Sequence, residues 1–448
     1  MNNVKLLAWL LCIVLTPTTI FSQKTPAFPD AEGFGAYAKG GRGGEVLYVT
    51  NLNDNGPGSL RWAVEQKGPR TVIFAISGTI ELKDRLNIEN PYITIAGQTA
   101  PGDGICIKGE TVRVATHDVI IRYLRVRLGD GMHGQGSLQG KDAISISVGE
   151  DIIVDHCSAS WSLDEILSAS THRPTLSRVT VQWCFITEGL NPDNHGFGSL
   201  IRGTGGAKYS YLHNLYAHNR GRNPRPGNYD SNPYNKDPEG LLLDFRNNVI
   251  YNWGGEHAGY NADKKSVTHL NYVSNYLVPG ADSKPTGIAY STGSPYNSSY
   301  FAGNYYNNKL PDNQWDLVKF SESWSDEEIN AYKQKEPFET GLVKTDDAQL
   351  AYKKVLESGG AILPKRDMVD QRIVNDVKNG TGRIIKSQED VGGWPVLNSV
   401  KAPVDTDQDG MPDAWEDEHG LNKTDPKDRN LIDPDGYTML EKYLNSIH

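Results

Sequence analysis

Between residues 93 and 306 the chain is a succession of short segments in which apolar side chains fall on alternate positions: 93–97, 119–126, 152–159, 179–186, 209–216, 243–250, 270–277 and 299–306. Rich in Val, Ile and Tyr, they carry the two-residue period of half-buried strands. Aligned on their polar positions they share one column, Cys157, Cys184, Asn214, Asn248, Asn275 and Asn304, with steps of 27, 30, 34, 27 and 29 residues. A repeat of that length without long helical patterns predicts a solenoid with several short strands per turn. Equivalent residues then stack about 4.8 Å apart, so buried Asn amides can bond up and down the column. A β-sandwich would instead show turn signals every ~8–12 residues and no in-register column. The pattern therefore predicts an all-β chain wound as a parallel β-helix.

Outside the repeat the periodicity changes. Gly58 to Glu65 places Ser59 as an N-cap before a short helix with one apolar face, suited to covering the unpaired strand edges at the start of a coil. The Gly-rich stretch 33–44 lacks the Gly-Lys-Ser/Thr ending of a phosphate loop and a helix after it, and reads as a turn-rich strand connection. Residues 326–334 and 346–356 have helical spacing, and 365–372 are densely charged; these charges are expected to be solvated. Four parts follow: an export signal at 1–22, the β-helix domain at 23–310, a partly helical C-terminal wrap at 311–400 and an acidic tail at 401–448.

Composition narrows the compartment. Lys5, an apolar run over 6–15 and small residues over 16–22 form an export signal. Roughly ten apolar residues are too few to cross a bilayer, so no membrane span is expected. The mature protein would be secreted, periplasmic or at the cell surface. It keeps Cys106, Cys157 and Cys184, an odd and low count that is no disulfide framework. Cys157 and Cys184, one turn apart, are expected as buried thiols. The net charge of −10 resides mostly in the tail, which carries −8 from residue 405 onward. That balance excludes nucleic acid as a partner and leaves room for an acidic substrate at a locally basic groove. A monomer is expected.

Three further motifs carry a resemblance: Val49-Thr50-Asn51-Leu52-Asn53-Asp54 with Gly58-Ser59-Leu60-Arg61, the segment Ile153-Val154-Asp155-His156, and Asn219-Arg220-Gly221-Arg222-Asn223-Pro224-Arg225. Together, over about residues 27–395, they resemble the pectate lyases of the first polysaccharide lyase family. The resemblance implies a right-handed parallel β-helix that cleaves polygalacturonate, demethylated pectin, by β-elimination. It also implies Ca2+ bridging substrate and protein in a groove on one sheet face.

Elimination beside a uronate needs its carboxylate neutralised, a base for the C5 proton and departure of the leaving oxygen; calcium with hard oxygen ligands meets the first need. The resemblance assigns Asp142 as one calcium ligand and Asp164 or Glu165 as a second. Gly140 and Ser168 stand where relatives carry further acids, so calcium is expected to bind weakly until the substrate joins it. Arg222 is implied as the catalytic residue, on a solvent-facing groove. It acts either as a base, with Arg220, Arg225 and calcium disfavouring its charged form, or as a cation stabilising the enolate-like transition state. Arg202, Arg220, Arg225 and His195 are implied as substrate contacts, since guanidinium grips carboxylates through paired hydrogen bonds. His156 is read as structural.

In the tail, Asp405, Asp407, Asp409, Gly410, Met411, Asp413 and Glu416 fill the loop positions of an EF-hand, Met411 through its carbonyl and Glu416 as the bidentate acid. No entering helix is evident, so the loop is of the dockerin-like or thrombospondin type. A second partial loop at Asp433, Asp435 and Gly436 is degenerate. Two rival functions remain. A polygalacturonase would need paired acid and base carboxylates, and a carbohydrate-binding adhesin would have no use for the Arg-rich loop.

Overall fold

The computed structural model describes residues 24–134, 140–228 and 237–448; the export signal expected at 1–22 lies outside them. The chain coils as a parallel β-helix with three faces. One is a ten-stranded sheet running from Glu45–Val49 to Ser298–Ala302, and the second is a nine-stranded sheet from Gly78–Glu81 to Tyr305–Tyr306. The third face has six strands from Leu86–Ile88 to Arg225–Gly227, followed by a three-stranded sheet of Gly259–Asn261, Tyr290–Thr292 and Val318–Lys319.

Parallel pairing in register turns each inward position into a stack. Ile95, Ile121, Val154, Val181, Tyr211, Phe245, Tyr272 and Phe301 follow one another on successive rungs of the first sheet. The stack passes from aliphatic to aromatic, with Phe245 and Tyr272 rings 5.3 Å apart and Tyr272 and Phe301 4.8 Å apart. Such a core gains from area removed from water and from offset ring stacking.

The Asn column forms at the bend between the first and second sheets. Asn214 Nδ2 donates to Asn248 Oδ1 at 3.0 Å, Asn248 to Asn275 at 3.1 Å and Asn275 to Asn304 at 3.0 Å. The residue before each column member has a left-handed backbone: His156, Trp183, His213, Asn247 and Ser274 have φ between 49° and 57°, and Gly303, before Asn304, has φ 68°. That conformation points their side chains outward, where Tyr123, His156, Trp183 and His213 stack ring on ring at 5.0, 5.7 and 4.3 Å. His156 also pairs with the buried Asp155 at 2.9 Å, a structural setting for it. Cys157 and Cys184 are buried free thiols.

Ser59 caps the helix Leu60–Glu65, accepting from the Trp62 backbone, and Leu60, Ala63 and Val64 close the end of the core. Residues 33–44 run as turns along the outside of the first sheet. A Cβ at Gly35 would meet the Ile152 carbonyl at 2.2 Å and one at Gly41 the Arg70 carbonyl at 2.1 Å, so close backbone approach explains these glycines.

The expectation of solvated charges over 365–372 fails at two positions. Asp367 caps the helix Met368–Asn379, and with Asp370 it is buried against Arg127 at 2.9 Å. The wrap lies on the outer face of the second sheet and takes Arg127 out of water, so that guanidinium requires buried counter-charges.

Candidate active site

The third face positions the site. Its strands Ile144–Val148, Leu167–Ser170, Leu200–Arg202 and Arg225–Gly227 are each entered through a turn, and those turns stack like the strands. Glu165 bridges Phe197, and Phe197 bridges Gly221; Ala143 N–H donates to the Glu165 carbonyl and Ser199 N–H to that of Arg222. Asp142, Asp164, Glu165, His195 and Arg222 are thereby brought to one edge from four coils.

On the acidic side, carboxylate oxygens of Asp164 and Glu165 and a ring nitrogen of His195 lie within 4.8 Å of one another. Asp164 accepts from His195 Nε2 at 2.8 Å and from the Gly140 backbone at 2.7 Å. Asp142 is buried beside them, and its Oδ1 has no hydrogen-bond partner among the described residues. Burial first, then the Asp164 charge, pushes the Asp142 carboxyl up to about 8, against the opposing pull of Ser168 and Arg222.

On the basic side, Arg222 touches Glu165 and its guanidinium lies 4.0 Å from the centre of the Phe197 ring. Its side chain is 11% exposed, so the residue expected on an open, solvent-facing groove is instead largely sheltered. Burial lowers its proton affinity; Tyr260 and Asp164 counter this, and Arg225 adds a smaller push in the same direction as burial. Desolvation rather than neighbouring cations is thus the main influence. Arg202 and Arg225 are not independent of each other: Asp263 accepts from both, at 3.0 Å and 3.2 Å. Arg220 stands apart, lining a different cleft, with its guanidinium 5.9 Å from the Phe197 ring centre.

A cleft of 540 Å³ joins these groups, lined by Asp164, Glu165, His195, Arg202, Arg222 and Arg225. A second, of 630 Å³, lies beyond Phe197 and is lined by Arg220, His257, Tyr260, Lys284 and Lys386 among others. The first cleft thus brings carboxylates and guanidinium groups together, meeting where Arg222 touches Glu165, while the second also carries Glu256 and Asp282.

Probable pectate lyase C of Aspergillus flavus is 38% identical over 447 residues, covering 97% of this chain and 98% of that protein. The chain belongs to the pectate lyase family. The probable pectate lyase C of Emericella nidulans is 39% identical over 443 residues, covering 97% of this chain and 96% of its own length. The enzyme is therefore a polysaccharide lyase. No family model matches the chain. The crystal structure of Jun a 1, the major allergen from cedar pollen, has the same fold, with a TM-score of 0.51 at 17% identity over 74% of this chain and 92% of that one.

Asp263, Phe197 and Tyr260 of the lyase escaped the sequence reading. Asp263 lies in a turn after Gly259–Asn261, where no strand register signals its reach back to Arg202 and Arg225.

The tail of the lyase gathers a second set of acids. Asp405, Asp407 and Asp409 bring carboxylate oxygens within 4.8 Å of one another, and Asp409, Glu416 and Asp428 do likewise. Asp428 was not foreseen. Asp413 turns aside, accepting from the Thr406 N–H and hydroxyl at 2.7 Å each. Met411 buries its side chain against Ile73, Ala96, Leu440 and Leu444. In the degenerate second loop, Lys442 Nζ pairs with Asp433 at 3.0 Å and Asp435 at 2.7 Å.

Proposed function

We propose that the enzyme cleaves polygalacturonate by calcium-assisted β-elimination, leaving 4,5-unsaturated ends, and that Arg222 acts on the reacting uronate. The observation that carries this reading is a sheltered arginine of lowered proton affinity set among carboxylates and further arginines in one cleft. The carboxylate rim fits Ca2+: Asp164 and Glu165 offer hard oxygens close together, and the buried Asp142 Oδ1 beside them lacks a hydrogen-bond partner among the described residues. When bound there, calcium would neutralise a substrate carboxylate and make the adjacent C5 proton more acidic.

The protein's own groups supply the rest. Arg202 and Arg225, held by the shared Asp263, grip uronate carboxylates through paired N–H donors. Arg220 adds a guanidinium to the adjoining cleft. In this reading Arg222 takes the C5 proton after releasing its own, a release that burial favours and that the contacts with Glu165 and Tyr260 oppose; the electron pair left behind forms the C4=C5 double bond as the C4–O4 bond breaks. The departing oxygen leaves as a hydroxyl after gaining a proton from solvent. His195 holds Asp164 and orders the carboxylate rim.

The same reading makes the tail acids Asp405, Asp407, Asp409 and Glu416 a second calcium loop, with Met411 contributing through its carbonyl. It places the mature enzyme outside the cell, because the apolar run after Lys5 has the length of an export signal. The enzyme on polygalacturonate should generate ultraviolet absorbance from a double bond conjugated to the carboxylate, and a chelator should abolish it. Reducing ends without that absorbance would point to hydrolysis, and chelator-resistant activity would remove calcium from the reaction.

A further inference from the structure

The tail does not hang free from the β-helix. Gly410 has φ 99°, and a Cβ there would meet Leu440 at 2.9 Å and Val46 of the first strand at 3.2 Å, so the loop is pressed against the coil. Asp405 takes the Tyr48 hydroxyl and the Gly410 N–H, tying the loop to that strand. Met411, Leu440 and Leu444 pack with Ile73 and Ala96, flanked by Val46, Tyr48 and Trp415. The tail thus commits the apolar side chains of Met411, Leu440 and Leu444 to the enzyme's own first sheet.

At this junction lie carboxylates that form no ion pair among the described residues. Asp409 and Glu416 are fully buried. Both oxygens of Asp407, both of Glu416, Oδ2 of Asp409 and Oδ1 of Asp428 are buried without a hydrogen-bond partner, six oxygens in all. Nearby basic groups are turned elsewhere, Lys423 to Asp417 and Arg429 to the carbonyls of Pro426 and Gly44. Buried, unpaired carboxylates are costly unless a cation accepts them, and six oxygens is the number at which calcium coordination begins. The remaining oxygens are fixed in direction: Asp409 Oδ1 accepts from the Met411 N–H at 2.9 Å and Asp428 Oδ2 from the Asn422 N–H at 2.8 Å. Asp413, bound to Thr406, leaves a gap in the ligand set, and Asp428 enters from the following turn.

We propose that Asp428 completes a calcium site with Asp407, Asp409 and Glu416, and that filling it fastens the tail onto the first coils of the β-helix. This rests on the reading of the tail as a calcium loop. The ion would act as an internal staple at the entry end of the solenoid, stabilising the enzyme by mass action and separately from the groove.

The test uses the full-length enzyme without substrate: calcium binding by titration calorimetry, melting with calcium or chelator, and trypsin cleavage between the wrap and the tail. In the wild type, calcium at a hundredfold excess over its dissociation constant should raise Tm by about 3–5 °C and protect the tail from trypsin. Glu416→Gln and Asp428→Asn should each lose at least about tenfold in affinity and most of that rise. Asp164→Asn, in the groove, should keep both. If Glu416→Gln loses binding while Asp428→Asn retains wild-type affinity, Asp428 is no ligand and the inference falls, though the calcium loop survives. A wild type that neither binds calcium nor gains Tm defeats the loop and the inference together. Calcium binding without protection of the tail would overturn the staple; that comparison needs no variant.

Discussion

Two edges of the same coil are built on opposite plans. At the bend between the first and second sheets each rung repeats its neighbour, with a left-handed residue followed by Asn214, Asn248, Asn275 or Asn304, each bonded to the next. At the turns entering the third face each rung differs: Asp142, Asp164 with Glu165, His195 with Phe197, then Arg222. Both edges use the same regular stacking of strands. The first spends it on satisfying buried amides, where the same residue on four successive rungs solves an identical problem. The second uses it to bring unlike groups, far apart in sequence, within a few ångströms. A change at the repetitive edge should therefore strike folding, and one at the varied edge should strike chemistry.

Arg222→Lys gives the sharpest form of that contrast. Lysine keeps a basic nitrogen within reach of Glu165 but loses the planar fork and the contact over Phe197. Turnover on polygalacturonate is expected to fall by at least about 100-fold, with little change in Tm. Near-normal turnover would remove Arg222 from the reaction, and an unfolded variant would make its pairing with Glu165 structural.

Asn248→Ala breaks the other edge. The amide donates to Tyr211 O and Asn275 Oδ1 and accepts from the Asn214 N–H and amide, all buried. Alanine strands several of these groups at about 1–3 kcal/mol each, so destabilisation of about 3 kcal/mol or more is expected in denaturant melts. Turnover per folded molecule should stay near wild type. A variant that melts normally but loses turnover would show that the two edges are not separable in this way.

The repetitive edge was legible in the sequence because a buried amide column imposes the same residue at a fixed spacing, and the solenoid and its direction of stacking follow from it. The varied edge was legible in part. Residues in recognisable motifs, Asp142, Asp164, Glu165 and Arg222, could be named, but the direct contact of Arg222 with Glu165 and its shelter from solvent depend on the depth of the turn. Asp263 and Asp428 were out of reach for a common reason. Each acts from a turn whose path is set by packing and not by strand register, so spacing gives no sign of where the carboxylate arrives. The buried charges Asp367 and Asp370 were misread as solvated because their partner, Arg127, lies some 240 residues earlier.

The smallest expected effect tests the outer side of the repetitive edge. His213 stacks on Trp183 and contacts Asp346 at 3.1 Å. Burial pushes its imidazole down to about 4, outweighing the attraction of Asp346 and aided by Lys354 and Arg246. The folded value lies below the ordinary 6.5, so between those two pH values the unfolded chain takes up a proton that the folded chain refuses. Stability is full above pH 6.5 and drains as the pH falls toward 4. Melting of the wild type should therefore steepen its decline over that interval, and His213→Gln, which cannot titrate, should start from a lower Tm yet decline less. Equal slopes for the two proteins would show that His213 takes up its proton as readily in the fold as out of it. The outer stack would then be solvated, and only the inner Asn column would deserve the description of a buried, repetitive edge.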